Sequence, residues 1–136
     1  MSYDKPLPVA DPVTQPFWDG LKVDELRIKR CSDCDKAVFY PRVLCPHCGS
    51  RQLAWTVCSG RGIVYAFTST HRGTPAAFKS AAPYVVAMVE LEEGARLMTN
   101  IIDVEPSPSA VKIGMSVEIV FDKITESVTL AKFRPR

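Results

Sequence analysis

Apolar and polar positions follow three successive patterns along the chain. Residues 1–13 scatter prolines among polar positions with no periodic apolar run, the pattern of an extended arm. Across 14–26, Phe17, Trp18 and Leu21 recur at helical spacing, with Thr14 placed to cap and Pro16 suited to a first turn. Gly20 interrupts that stretch, so the pattern predicts a short helix followed by a second turn over 22–26. Two adjacent rings, Phe17 and Trp18, cannot both enter one narrow apolar stripe. The segment therefore packs on the rest of the protein, or offers part of itself to a partner.

From residue 53 the period shortens to two. Residues 53–58 and 61–71 read as one long strand bent at Ser59-Gly60, where glycine permits a bulge. Within it Ile63, Tyr65, Phe67 and Ser69 alternate with Val64, Ala66 and Thr68. Residues 83–92 form a second strand, and Glu93-Gly94 turns tightly into a third over 95–102. Pro106 and Pro108 mark 103–113 as a connection with room for one helical turn, and 115–121 and 127–133 complete the set. Five strands with one irregular link between the third and fourth predict a five-stranded Greek-key barrel of the OB type.

Between these regions lies a constellation of a different kind. Cys31-x-x-Cys34 and Cys45-x-x-Cys48 are separated by ten residues. Each pair lets a tight turn aim two thiolates at one point, and two such turns supply the tetrahedral all-sulfur cage that zinc prefers. Gly49 follows the last ligand, where a knuckle often needs a positive φ. The same knuckle holds iron in rubredoxins. A structural zinc is favoured here, since the ribbon accompanies a larger barrel and the sequence carries no partner redox motif. A closed four-thiolate site leaves no position for a reacting water, and binding worth on the order of 10 kcal/mol folds a module too small for its own core. The fifth cysteine, Cys58, reads as a small buried strand residue. His47 within the second knuckle is expected to face solvent, and His71 to end a strand.

The chain thus divides into an N-terminal arm and short helices over 1–26, a zinc ribbon over 27–52 and a barrel over 53–136. The fold class is mainly β: an N-terminal short helix and rubredoxin-like zinc ribbon followed by a five-stranded OB-fold barrel.

Composition narrows the setting. The 136 residues are 46% hydrophobic and 24% charged, with a net charge of +2. No apolar run approaches the ~20 residues that span a bilayer, and 1–12 has no apolar core behind basic residues, so a cytoplasmic address is expected. In that reducing compartment paired cysteines indicate metal rather than disulfides. Charge is uneven: residues 36–89 hold six cations and no acid, whereas both flanks are net acidic. That basic stretch suits a phosphate-bearing small molecule and is thin for a nucleic-acid surface.

FW-x-G-L over 17–21, LRIKRC-x-x-C over 26–34, YPR over 40–42 and CP-x-CGS over 45–50 come in fixed order. SGRG-x-VYAFT over 59–68, PYVVAMVEL over 83–91 and VTLAKFRPR over 128–136 complete the series. Together, from about Pro16 to Arg136, they resemble the acyl-CoA-associated proteins that join a rubredoxin-like zinc ribbon to an OB fold. The resemblance implies a non-catalytic subunit that sits beside a thiolase-like enzyme, an acyl-CoA hydratase or an aldolase. There it helps to hold or pass on an acyl-CoA thioester. It also implies that Cys31, Cys34, Cys45 and Cys48 are the zinc ligands.

Within that frame the loop over 72–83 offers Arg72 and Lys79 to phosphates and Phe78 for stacking. A solvated loop with incidental charges and a partner-docking loop are the competing readings of the same residues. The alternative function is single-stranded nucleic-acid binding, with Tyr65, Phe67 and Tyr84 as stacking platforms. A net charge of only +2 disfavours it, and a stand-alone enzyme lacks a convincing nucleophile or acid–base pair.

Overall fold

Residues 3–136 are described by a computed structural model. Helix α1 (Gln15–Lys22) opens the fold and buries Phe17 and Leu21. Thr14 stands at the N-cap as the pattern predicts, and a further capping interaction lies in the turn before it. The Asp11 carboxylate accepts from the Thr14 amide at 2.8 Å, and the Asp11 amide donates to Thr14 Oγ1 at 3.0 Å, the reciprocal arrangement of a capping box. Thr14 makes no cap hydrogen bond to the helix amides. The helix also runs through Gly20 rather than breaking there. A Cβ on Gly20 would stand 2.7 Å from the Arg27 side chain, so the glycine makes room for that packing.

Two sheets follow. Strands β1 (Leu26–Cys31), β2 (Ala37–Val38) and β3 (Leu53–Cys58) form a three-stranded antiparallel sheet in the order β2-β1-β3. Strands β4 (Arg61–Thr70), β5 (Tyr84–Leu91), β6 (Arg96–Ile101), β7 (Ser116–Lys123) and β8 (Thr129–Pro135) close into a barrel in the order β4-β5-β6-β8-β7. β6 and β8 pair in parallel, and the link between β6 and β7 crosses the barrel with one helical turn near Ser107. This is the five-stranded OB topology.

The predicted continuous strand over 53–71 is therefore two strands in two sheets. β3 pairs with β1 along all six residues, from Leu53 opposite Cys31 to Cys58 opposite Leu26. The chain leaves that sheet at Ser59-Gly60. Gly60 has φ +80°, and a Cβ there would meet Ile119 Cγ2 at 2.5 Å. Glycine serves here as a corner rather than a bulge.

The barrel's bulge lies five residues further on. Val64 faces Val89 and Ala66 faces Met88, leaving Tyr65 as the extra residue. Alternation changes parity across it: Val64 is buried, Tyr65 is exposed, and Phe67 packs on the core. Tyr65 and Phe67 therefore occupy different faces, contrary to the simple two-residue alternation. Outside the barrel, the Arg96 guanidinium carbon lies 3.8 Å from the Tyr65 ring centroid.

One apolar core serves most of the molecule. Val64, Val85, Val89, Leu97, Val117 and Phe133 fill the barrel, and Phe17, Leu21, Leu26 and Ile28 seal it from the side of the helix and β1. The ribbon has a much smaller cluster of its own, Cys31, Val38 and Cys45. β1 joins the two, with Leu26 and Ile28 in the large core and Cys31 in the small one. Among the described residues no helix is long and apolar enough to cross a membrane.

Candidate metal centre and adjoining apolar cavity

Cys31 ends β1, Cys34 follows in the turn before β2, and Cys45 and Cys48 bracket the second knuckle. Backbone hydrogen bonds shape both turns alike: the Asp35 amide donates to the Cys31 carbonyl and the Gly49 amide to the Cys45 carbonyl, each at 2.8 Å. Gly49 has φ +79°, as the knuckle requires. All four sulfur atoms lie within 4.8 Å of one another, with Cys31 and Cys48 at 3.6 Å and Cys34 and Cys45 at 3.7 Å. A tetrahedral ion with metal–sulfur bonds of ~2.3 Å has sulfur–sulfur edges of about 3.8 Å. The donor set thus fits a structural metal, and its geometry leaves no open coordination position.

The thiols do not titrate alike. The amide of Cys34 is the main influence holding Cys31 down to about 7. Cys48 feels the Ser50 amide in the same direction, yet desolvation and the neighbouring thiols push it up to about 12. Four thiolates cannot share so small a volume without a cation to balance them. The His47 amide donates to Cys45 Sγ at 3.4 Å, while the His47 side chain is exposed. Cys58 lies outside the cluster: burial, then the Glu93 carboxylate, push its thiol up to about 12.

Beside the ribbon, the helix, the segment after β2 and the barrel border an open cavity of about 320 Å³. Phe17 and Trp18 come from α1, Phe39, Tyr40 and Pro41 from the segment after β2, and Met98, Leu130 and Ala131 from the barrel. Thr99 and Asn100 also line it, but Thr99 Oγ1 donates to the Ala131 carbonyl at 2.8 Å and Asn100 Nδ2 to the Val85 carbonyl at 2.9 Å. Both side chains are thereby tied to the strands, and most of the lining is apolar.

A second cavity, about 380 Å³, shares Asn100, Leu130 and Lys132 with the first. Its character differs: Tyr3, Phe78 and Tyr84 supply rings, and Lys5 and Lys132 supply ammonium groups that are paired with Asp4 at 3.5 Å and Asp122 at 2.6 Å. The Phe78 and Tyr84 centroids are 6.2 Å apart, and Lys5 Nζ is 5.8 Å from the Phe78 centroid. Of the three loop residues singled out in the sequence, Phe78 lines this cavity from the 3-10 helix Ala76–Ala81. Arg72 and Lys79 stand exposed on the same loop.

Sequence reasoning did not find the apolar cavity. Its signals were the paired aromatics Phe17-Trp18 and Phe39-Tyr40, each with more ring surface than one buried stripe can take.

This ribbon-plus-barrel architecture defines a known class. Residues 18–54 match the ChsH2 rubredoxin-like zinc ribbon domain, and 55–122 match the ChsH2 C-terminal OB-fold domain. The chain belongs to this family, also called DUF35. It is 42% identical over 98 residues to a DUF35 domain-containing scaffold protein of Methanocaldococcus jannaschii, covering 71% of this chain and 67% of that one. It is 38% identical over 120 residues to a probable enoyl-CoA hydratase alpha subunit of Thermomonospora curvata, covering 88% of this chain and 36% of the relative. The chain thus spans about a third of that hydratase subunit's length. Among solved structures it superimposes on a chain of the Ltp2-ChsH2(DUF35) aldolase with a TM-score of 0.80 and 35% identity, covering 94% of this chain and 98% of that one.

Proposed function

We propose that this protein is a non-catalytic zinc-ribbon/OB-fold subunit that holds an acyl-CoA thioester and scaffolds a thiolase-like, hydratase or aldolase partner enzyme. The observation that carries the proposal is the pair of adjoining cavities. One is apolar, the other is lined by aromatic rings and two ion-paired lysines, and they meet at Asn100, Leu130 and Lys132. An amphipathic thioester has matching halves, an acyl chain at one end and a phosphate-bearing nucleotide at the other. In this reading Phe78 stacks on the adenine and the exposed Arg72 and Lys79 meet the phosphates, with Lys5 and Lys132 exchanging Asp4 and Asp122 for them.

The metal is zinc and its role is structural: it would be held by Cys31, Cys34, Cys45 and Cys48 and would rigidify the segment that forms one cavity wall. The names of the relatives, a scaffold protein and subunits of a hydratase and an aldolase, support an accessory role within an enzyme complex. Five free cysteines suit a cytoplasmic setting. The separation of Tyr65 from Phe67 weighs against single-stranded nucleic acid, which needs stacking rings along one face.

The test is a titration of the zinc-loaded chain with a medium-chain acyl-CoA, with free CoA and with a single-stranded oligonucleotide, followed by tryptophan fluorescence. Trp18 lines the apolar cavity, so the acyl-CoA should give a saturable change that free CoA reproduces only weakly. Phe78→Ala and Lys132→Glu should weaken it. Salt-sensitive binding of the oligonucleotide with no response to acyl-CoA would overturn the proposal.

A further inference from the structure

We infer that the segment 40–44 of the ribbon is the docking surface for the partner enzyme, and that the partner meets it with an apolar patch bordered by carboxylates. The inference rests on the adaptor reading above and specifies where the adaptor holds its enzyme.

Three large apolar side chains fall within five residues there: Tyr40 is 50% exposed, Val43 53% and Leu44 45%. Singly such exposure is ordinary, but three together on a short loop mark a contact surface, and the ribbon's own core is too small to take them. The loop is nevertheless well held. Lys29 Nζ donates to the Arg42 carbonyl at 2.9 Å, the Cys45 amide donates to the Ser50 carbonyl at 2.8 Å, and the Phe39 and Tyr40 rings lie 4.4 Å apart. A surface already ordered by the metal knuckle loses little conformational freedom on docking.

Charge identifies the kind of partner. Arg42 lies within the apolar segment and Arg51 just past the last metal ligand, in a stretch with no acid between Lys36 and Val89. Among the described residues neither arginine is within 4.0 Å of a carboxylate. An apolar centre with unpaired cations beside it calls for the complementary arrangement, apolar side chains rimmed by Asp and Glu.

Position gives the surface its purpose. Tyr40 and Pro41 line the apolar cavity, and Met98, 60% exposed, lines it from the barrel. An enzyme seated on 40–44 would lie at the mouth of that cavity. The held thioester then faces the enzyme rather than bulk solvent.

The experiment begins with the acyl-CoA-processing enzyme recovered with the tagged wild-type chain from its own cells. That enzyme, once purified, is titrated by calorimetry against the full zinc-loaded chain and its variants. Arg42→Glu and Val43→Asp should each weaken binding by about tenfold or more, as truncations at an interface centre do. Ile113→Asp, at a still more exposed apolar position (71%) outside this segment, should leave it unchanged. Unaltered zinc content and melting temperature establish that the variants are folded. Unaltered acyl-CoA binding by Val43→Asp separates docking from ligand binding.

If no acyl-CoA enzyme accompanies the wild-type chain, the adaptor reading falls and this inference with it. If the enzyme binds wild type and both variants within about twofold, a difference too small for an interface centre, the docking surface is elsewhere and only this inference is overturned. Loss of oligonucleotide binding in the variants, with enzyme binding intact, would overturn it in favour of a nucleic-acid surface.

Discussion

The ribbon and the barrel reach stability by different means, although they share a strand. The barrel closes five strands around Val64, Val89, Val117 and Phe133, and the helix and β1 extend the same core with Leu21, Leu26 and Ile28. The ribbon's cluster consists of Val38 and two of the cysteines, with Leu53 and Cys34 at its edge. Apolar burial worth roughly 25 cal/mol per Å² sustains the first and cannot sustain the second, whose long loop between β2 and β3 has little to bury. A metal supplies there what packing does not. Tyr40, Val43 and Leu44 stay exposed on that loop, whose small core has no room for them.

Removing the metal should break the comparison most strongly. Chelation, or Cys45→Ser, withdraws binding on the order of 10 kcal/mol from the ribbon. Hydrogen exchange should then lose amide protection over 31–53 while β5, β6 and β8 remain protected. Equal loss across the chain would show instead that ribbon and barrel fold as one unit.

Phe133→Ala attacks the opposite half. Phe133 is fully buried at the β6–β8 junction, and a cavity there should cost about 3–5 kcal/mol in denaturant unfolding. Zinc affinity of the folded fraction should not change, since the ligands lie in the other cluster.

The corner between the two sheets should respond more mildly. Gly60→Ala combines a positive φ with a clash against Ile119 Cγ2 and should destabilise by about 1–3 kcal/mol. Shortening the neighbour with Ile119→Ala should recover the steric part. Additive losses in that double mutant would leave backbone strain as the whole cause.

The smallest effect concerns Cys58. After chelation at pH 8 the four ribbon thiols should react with a thiol reagent in the native protein, and Cys58 only after unfolding. Its folded value, about 12, lies above the unfolded one. The stability it contributes is therefore complete below the unfolded pKa and is lost as pH rises toward the folded one. Wild type should lose more denaturation resistance than Cys58→Ala between about pH 9 and 11.

Much of this architecture was legible in local patterns. Two Cys-x-x-Cys turns announce their chemistry because each pair is aimed by its own backbone, and the Glu93-Gly94 hairpin with its flanking alternation is equally local. The strand count was readable from period-two runs and turn residues. What misled was continuity: 53–58 and 61–70 have the same β character, so a pattern cannot say that one belongs with β1 and the other with β5. The bulge at Tyr65 was hidden for a related reason. Alternation in the sequence runs on through Ile63, Tyr65 and Phe67, and a change of parity becomes visible only against the partner strand.

By itself, then, the sequence determined the two cysteine knuckles, the five barrel strands and the turn that joins β5 to β6, because each depends on residues a few positions apart. Tertiary structure alone decided that β1 serves two cores, and that Trp18, Tyr40, Met98 and Leu130 wall one cavity. It likewise brought Phe78 to Lys5, Tyr84 and Lys132. Those groups come from the arm, the helix, the ribbon, the loop between β4 and β5 and three barrel strands. Their meeting follows from barrel closure and from packing against it, long-range events that leave no period in the chain.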